Sequence, residues 1–341
     1  MKRPSSIARN FIIISAALVI SGCASTTKNE TSNSACLVKR AAFDVGSGST
    51  KMVVAEVDKC EHKLVSILLE AQRGVPFKEA LIQAKDNNFN SDIKKKAVNA
   101  LGELKKMAKD MGATDFSAMA TSAFRTAGNG AVALKEISDK TKIKMRVINQ
   151  ETEARFGYLG ALGHIKNKNE SFMVWDIGGG SQQMTKNIDG KWNYYLGKIA
   201  SVSFKDAVLK KYYNKNAQTP NPLRKERALR ALQLSKEYAK KVPVAFRNLS
   251  DTKVYGIGGV HYYSLRNQTK IADKIYNQED LYRTLMERSQ MNDKELGGEY
   301  SQTDVTNIAL VLGHMQSLNI NNVEVLKVNM AHGLLIDEAS W

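Results

Sequence analysis

Runs of apolar residues divide the chain, beyond its first few dozen positions, into short strand-like and longer helix-like segments. Ala41 to Val45 and Lys51 to Val57 read as strands on either side of a glycine–serine turn, and Leu64 to Ala71 as a third strand. From Ser91 to Met111 the apolar positions Ile93, Val98, Leu101, Leu104, Met107 and Ala108 fall on one side, with lysines opposite, which predicts a helix. A strand at Phe116 to Thr121, a helix at Ala131 to Lys140, a strand at Met145 to Ile148 and a helix at Thr152 to His164 follow. The pattern then restarts with a strand at Phe172 to Ile177, a turn at Gly178 to Ser181 and a returning strand at Gln183 to Asn187. A basic helix is predicted over Pro222 to Lys241, and a buried strand over Val254 to Gly256 ahead of Gly258 and Gly259. A helix from Asp304 to Leu318, a strand from Val323 to Val328 and a last helix at Gly333 close the chain. The fold class is α/β, with the strand–glycine turn–strand unit used twice. Two similar halves imply two similar lobes with a cleft between them, residues 39–165 and 166–341.

Composition adds one constraint. Of 341 residues, 43% are hydrophobic and 25% charged, which supplies a core and excludes a disordered tail, a fibrous repeat and a multi-span membrane protein. Lys and Arg number 50 against 34 Asp and Glu, a net charge of +16 that suits a polyanionic partner. The basic helix around Arg224 to Lys241 reads first as a solvated face.

The N-terminus is set apart from the fold. Lys2, Arg3 and Arg9 precede an apolar run, Phe11 to Ile20, which ends in Ile20-Ser21-Gly22-Cys23. This resembles a bacterial lipobox, so residues 1–22 are expected to be a lipoprotein signal peptide, with Cys23 lipidated and residues 23–38 a polar tether. Ala24 rather than Asp after the cysteine, by resemblance to Gram-negative lipoproteins, favours the outer membrane. The expected location is the cell envelope, lipid-anchored and facing the periplasm. In that oxidising compartment Cys36 and Cys60 are expected to pair. They are equidistant from position 48, so a hairpin centred there places them opposite each other. Such a bond stabilises by about 3 kcal/mol through loop closure.

The chemistry concentrates in the glycine turns. Asp44-Val45-Gly46-Ser47-Gly48-Ser49-Thr50-Lys51 places a carboxylate, two glycines, hydroxyls and an ammonium around one turn. Glycines allow close backbone approach to an oxyanion, and successive amides in such a turn form an anion nest. Asp176-Ile177-Gly178-Gly179-Gly180-Ser181-Gln182-Gln183 repeats the arrangement, and Tyr255-Gly256-Ile257-Gly258-Gly259 ends a third strand in glycines. Together they predict a phosphate-lined cleft. No P-loop spacing occurs. The five histidines show no zinc-ligand spacing, and His314 and His332 read as core or surface residues. Gly46-Ser47-Gly48-Ser49 lies in a hairpin, unlike a nucleophile elbow.

The paired aspartate–glycine turns resemble the actin/Hsp70/sugar-kinase superfamily. The order of Asp44-Val-Gly-Ser, Ala120-Thr121-Ser122-Ala123-Phe124-Arg125, Glu151-Thr-Glu153-Ala154-Arg155 and Asp176-Ile-Gly-Gly-Gly-Ser181 is similar to the exopolyphosphatase/guanosine-pentaphosphatase (Ppx/GppA) family, from about Lys39 to Asp337. The resemblance implies two actin-like (ribonuclease H-like) lobes, phosphate chains bound in the cleft, and hydrolysis of the terminal phosphate. It implies Glu153 as general base, aided by Asp176, and Arg125 as a phosphate contact. Gly46, Ser47, Gly48, Ser49, Lys51, Gly178, Gly179, Gly180, Ser181, Gly258 and Gly259 are the expected phosphate cradle, with Asp44 and Asp176 holding Mg²⁺. The expected substrate is inorganic polyphosphate or another polyphosphorylated anion. No nucleic-acid partner is expected, and a homodimer is left open.

Three segments depart from the family pattern. Gln182-Gln183 stands where Thr-Glu is common, Met330-Ala331-His332-Gly333 replaces Leu-Arg-Glu-Gly, and Gly48 replaces an asparagine. The alternative they raise is a polyphosphate-binding lipoprotein that kept the cleft without the chemistry.

Overall fold

Two hairpins, each closed by a glycine turn, lie inside two separate sheets. The computed structural model describes residues 34–165, 170–247, 249, 251–271 and 274–341. The expected signal peptide, Cys23 and the tether as far as residue 33 lie outside the described residues.

In the first sheet β1 (Leu37–Val45) pairs antiparallel with β2 (Ser49–Asp58), and β2 with β3 (Lys63–Gly74). After α1 (Phe77–Gln83) and α2 (Ser91–Asp110), β4 (Asp115–Ala120) joins β1 in parallel. After α3 (Ser122–Thr126) and α4 (Gly130–Thr141), β5 (Lys144–Val147) joins β4 in parallel. Helix α5 (Gln150–Leu162) leads to the second sheet. There β6 (Phe172–Ile177), β7 (Gln182–Ile188) and β8 (Lys191–Gly197) repeat the antiparallel meander. Helices α6 (Ser201–Tyr212) and α7 (Arg224–Ala239) precede β9 (Lys253–Ile257), which is parallel to β6. A π-helical turn (Val260–Leu265), α8 (Arg266–Thr269), β10 (Ile275–Asn277), α9 (Gln278–Arg288), α10 (Asp293–Leu296) and α11 (Ser301–Leu318) follow. Strand β11 (Asn322–Val325), parallel to β9, and α12 (Met330–Leu335) complete the lobe.

The sheet orders are β3-β2-β1-β4-β5 and β8-β7-β6-β9-β11, with β10 added outside β11. The two halves thus share one strand plan, the duplicated α/β lobe expected.

Strand alternation divides each sheet's side chains between two cores. Phe43, Val45, Met52 and Val54 pack under α2 and α4, while Ala42, Val53, Ala55 and Val57 face the interior between the lobes. In the second sheet Met173, Trp175 and Ile177 pack with α6, α7 and α11, and Phe172 and Val174 face inward. Helix α5 fills that interior. Its Phe156 joins Ala42, Val53 and Met119 of the first sheet, while Tyr158 and Ala161 join Phe172, Val174 and Tyr255 of the second.

The chain also returns from the second lobe to the first. Met330, Ala331, Leu334 and Leu335 of α12 pack on the first sheet. Arg40 forms a bidentate pair with Glu338 and lies 4.7 Å from the Trp341 ring. Ser117 Oγ donates to the Ser340 carbonyl at 2.9 Å. A division at residue 165 therefore assigns α12 by sequence order, whereas its packing belongs to the first lobe.

The Cys36–Cys60 bond is present, with the Cα atoms 5.5 Å apart. The hairpin is not centred at 48, however: Leu37 pairs with Asp58 and Asp44 with Lys51, half a residue closer to the N-terminus. Asp58 Oδ1 accepts from the amides of Cys60 and Glu61, both at 3.0 Å, and this turn carries Cys60 back over the ladder end.

Several elements differ from the pattern: helices α1, α3, α9 and α10 and strand β10 were not expected. Strand β8 was not expected, since five of its seven residues are half-buried and no alternation shows. Helix α6 was not expected either. The strand expected over Val323 to Val328 ends at Val325, although the Leu326 amide still donates to the Gly256 carbonyl at 3.0 Å and the Gly258 amide to the Val328 carbonyl at 3.3 Å. Helix α7 buries Ala228, Ala231, Leu232 and Ser235 and pairs Arg230 with Glu226, so its charges form a solvated face. Among the described residues no helix is long and apolar enough to cross a membrane.

Candidate active site

The two glycine turns have one geometry. Asp44 stands opposite Lys51 in the β1–β2 ladder, and Asp176 opposite Gln183 in the β6–β7 ladder. Each turn closes with a glycine amide donating to a serine carbonyl at 3.0 Å, Gly46 to Ser49 and Gly178 to Ser181. The following segments secure the turn carbonyls: the Lys78 amide donates to Ser47, and those of Ser201 and Val202 to Gly178 and Gly179. The turns face one another across the cleft. A Cβ placed on Gly180 would lie 3.1 Å from Ser122 Oγ and 3.4 Å from Ser47 Oγ.

The third glycine element forms the floor. Gly258 has φ +82°, and a Cβ there would lie 2.2 Å from Asp176 Oδ1. Only a glycine fits the left-handed backbone and leaves Asp176 in place. Gly258 and Gly259 line a cavity of about 20 Å³ between the lobes with Lys51, Glu70, Tyr262, Tyr263 and Lys327. A larger depression of about 510 Å³ lies between α1 and α2, and none of the residues predicted for the site lines it.

Glu153 enters from the first turn of α5, whose N-cap Asn149 accepts from the Thr152 amide. Arg125, on α3, donates through Nη1 to Glu153 Oε2 at 2.8 Å and to the Ile148 carbonyl at 3.0 Å. Burial pushes Glu153 up to about 7 against the pull of Arg125, with the charges of Asp176 and Asp44 adding to the rise. Burial likewise pushes Asp176 up to about 6 against Lys51, with Asp44 adding. Asp44 is also raised, burial outweighing the Lys51 ammonium 3.7 Å away. Glu153 and Asp176, both raised by burial and by a neighbouring aspartate and held beside Arg125 and Lys51, can accept protons near neutrality.

Residues 53–340 match the model of the Ppx/GppA phosphatase family. The chain belongs to that family. The matched region starts within β2, so the Asp44–Lys51 turn precedes it. A bifunctional 3-dehydroquinate synthase/phosphatase of Fusobacterium nucleatum is 25% identical over 267 residues, covering 74% of this chain and 37% of that protein. Exopolyphosphatase 1 of Mycobacterium leprae is 26% identical over 149 residues, 43% of this chain and 42% of its own. The chain therefore spans about two fifths of the length of these curated relatives. The Aquifex aeolicus family member superposes with a TM-score of 0.70 at 18% identity, over 89% of this chain and 98% of that one. An exopolyphosphatase from Cytophaga hutchinsonii gives 0.71 at 16% identity, over 87% and 96%. At these identities the likeness establishes the fold, two actin-like lobes.

Phosphatases of this family generally depend on a divalent metal. The donors around the turns are a poor match for a resident ion. Lys51 already stands beside Asp44, and its charge also acts on Asp176. Gln183 is neutral, and its amide nitrogen donates to Ser181 Oγ at 3.1 Å. Among the described residues, the group of three potential ligands that does close within 4.8 Å is Cys36, Asp58 and Cys60, whose sulfurs are bonded to each other.

Several cleft residues escaped the sequence reading. Glu70 and Lys327 pair across the lobes, and Ser122 stands between the turns. Ser122 lies inside the Ala120–Arg125 motif, which was the available signal; Glu70 and Lys327 have none. His314 is fully buried and bonded to the Leu310 carbonyl, while His332 caps α12 by accepting from the Asn329 amide. Burial above all pushes His332 down to about 3, so its 3.6 Å approach to Glu70 is not an ion pair.

Proposed function

We propose that the chain is a phosphoanhydride hydrolase that removes the terminal phosphate of inorganic polyphosphate or a similar polyphosphorylated anion. The observation that carries this reading is Glu153: a buried carboxylate of near-neutral pKa, held by an arginine, under the field of the aspartates of two facing phosphate-type turns. Names of relatives that are exopolyphosphatases support the substrate class.

Hydrolysis of such a bond requires an oriented water and neutralised oxygens, with no covalent participation by the protein. The amides and hydroxyls of Gly46–Ser49 and Gly178–Ser181 bind successive phosphates. Glu153 takes a proton from water as its oxygen attacks the terminal phosphorus. The bridging P–O bond breaks, its electron pair stays on the shortened chain, and orthophosphate leaves. Arg125 holds Glu153 and offers its remaining donors to the phosphate. Asp176 orients the water. The lipid anchor expected at Cys23 would place this activity on the envelope, where polyphosphate suits the chemistry better than nucleotides made in the cytoplasm.

Phosphate release from long-chain polyphosphate should fall by about 10²–10⁴-fold in Glu153→Gln, with polyphosphate binding retained. Full activity in that variant overturns the role of Glu153. Absence of release from wild type, with binding intact, would leave a capture protein instead.

A further inference from the structure

We propose that Lys51 is a tethered cation that supplies, beside Asp44 and Asp176, the positive charge otherwise brought by a divalent ion, so that the chain works without a resident metal. This rests on the hydrolase reading above and adds to it how the cleft is charged.

The ladder fixes the position of Lys51. The β1–β2 register holds its backbone opposite Asp44, so the stem starts beside that carboxylate. Its Nζ lies 3.7 Å from Asp44 Oδ2, and both side chains are largely withdrawn from water, 25% and 13% exposed. The same lysine lines the inter-lobe cavity beside Gly258, the glycine that backs onto Asp176.

The second hairpin shows what is missing. Gln183 occupies the position equivalent to Lys51, opposite Asp176, and is 2% exposed with its amide engaged by Ser181. The four paired positions therefore carry two negative charges, one positive and one neutral. An acid at 183 would leave the group needing a dication. With glutamine there, a single ammonium leaves one negative charge, and a dication added to it would leave an excess of positive charge before any substrate binds. Mg²⁺ also dehydrates reluctantly and demands near-octahedral oxygen geometry, which an ammonium on a flexible stem does not. During hydrolysis the ammonium would face the bridging oxygen as the P–O bond breaks and stabilise the electron pair left on the shortened chain.

The test pairs two readouts on the wild type, Lys51→Met and Lys51→Arg. Calorimetric titration with Mg²⁺ alone should show no submillimolar binding to wild type or Lys51→Arg, and new binding to Lys51→Met. Phosphate release from sodium polyphosphate in EDTA should persist in wild type and Lys51→Arg. In Lys51→Met it should fall by about a hundredfold and recover with millimolar Mg²⁺. Tight Mg²⁺ binding by the wild type, or loss of its release in EDTA, overturns the proposal. If no protein releases phosphate, the hydrolase reading falls and calorimetry alone decides the role of Lys51. Should Lys51→Met fail to fold, the wild-type and Lys51→Arg titrations still decide it.

Discussion

Glu153 is set by opposed influences: burial and two aspartates favour its proton, and Arg125 opposes it. The basic form predominates only above about 7, so phosphate release should rise with pH through the neutral range. Arg125→Met removes the stabilising charge and should move this limb to higher pH; Asp176→Asn should move it lower. Rates measured across neutral pH check both, the limb belonging to the coupled carboxylates together. A limb unmoved in Arg125→Met would mean that the ion pair does not govern the base. The linkage has a definite sign. The folded pKa of Glu153 is raised, so its contribution to stability is full below the ordinary carboxylate value and is lost as pH rises toward about 7. At this scale the sequence was informative where backbone geometry dictates residue type. Asp44, Asp176, Gly258 and both turns could be read because a phosphate-type turn tolerates few alternatives. Glu70 and Lys327 could not, since they meet only when the lobes pack and nothing local distinguishes them from other surface charges.

Among the elements, the strands of the two hairpins were legible from alternation and their glycine turns. Strand β8 and helix α6 were not: β8 buries neither face fully, so its period is blurred. The exchange of helices between lobes was equally hidden, because periodicity shows that a helix has an apolar face but not which sheet that face meets. The crossing of α5 and α12 shows what the exchange demands. A Cβ on Gly333 would lie 2.1 Å from the Phe156 carbonyl oxygen, and one on Gly160 would meet Val328 and His332. The two backbones touch with no room for a methyl group. Gly333→Ala should destabilise the protein by at least about 1–3 kcal/mol, read as a lower midpoint in denaturant unfolding. An unchanged midpoint would show that the crossing is looser than described. The glycine of the altered Met330–Gly333 motif thus has a packing reason independent of the residues around it.

At the scale of the whole molecule, α5, the return of the C-terminal segment, and Glu70 on β3 reaching Lys327 beyond β11 join the lobes among the described residues. The small open pocket beside this pair, about 20 Å³, holds about one water and no phosphate. Any parting of the lobes opens the Glu70–Lys327 pair. Both partners are partly exposed, 24% and 49%, so dissolved ions can screen the pair. Added salt consequently acts twice, and in opposite directions. It loosens a bridge that joins the lobes, and it weakens the attraction between the basic protein and its polyanionic substrate. Phosphate release at low substrate should pass through a maximum as ionic strength rises. In Glu70→Gln, where no bridge remains to be screened, the same titration should only decline. The cleft would then have a preferred ionic strength, fixed by one carboxylate far along the sequence from the lysine it holds.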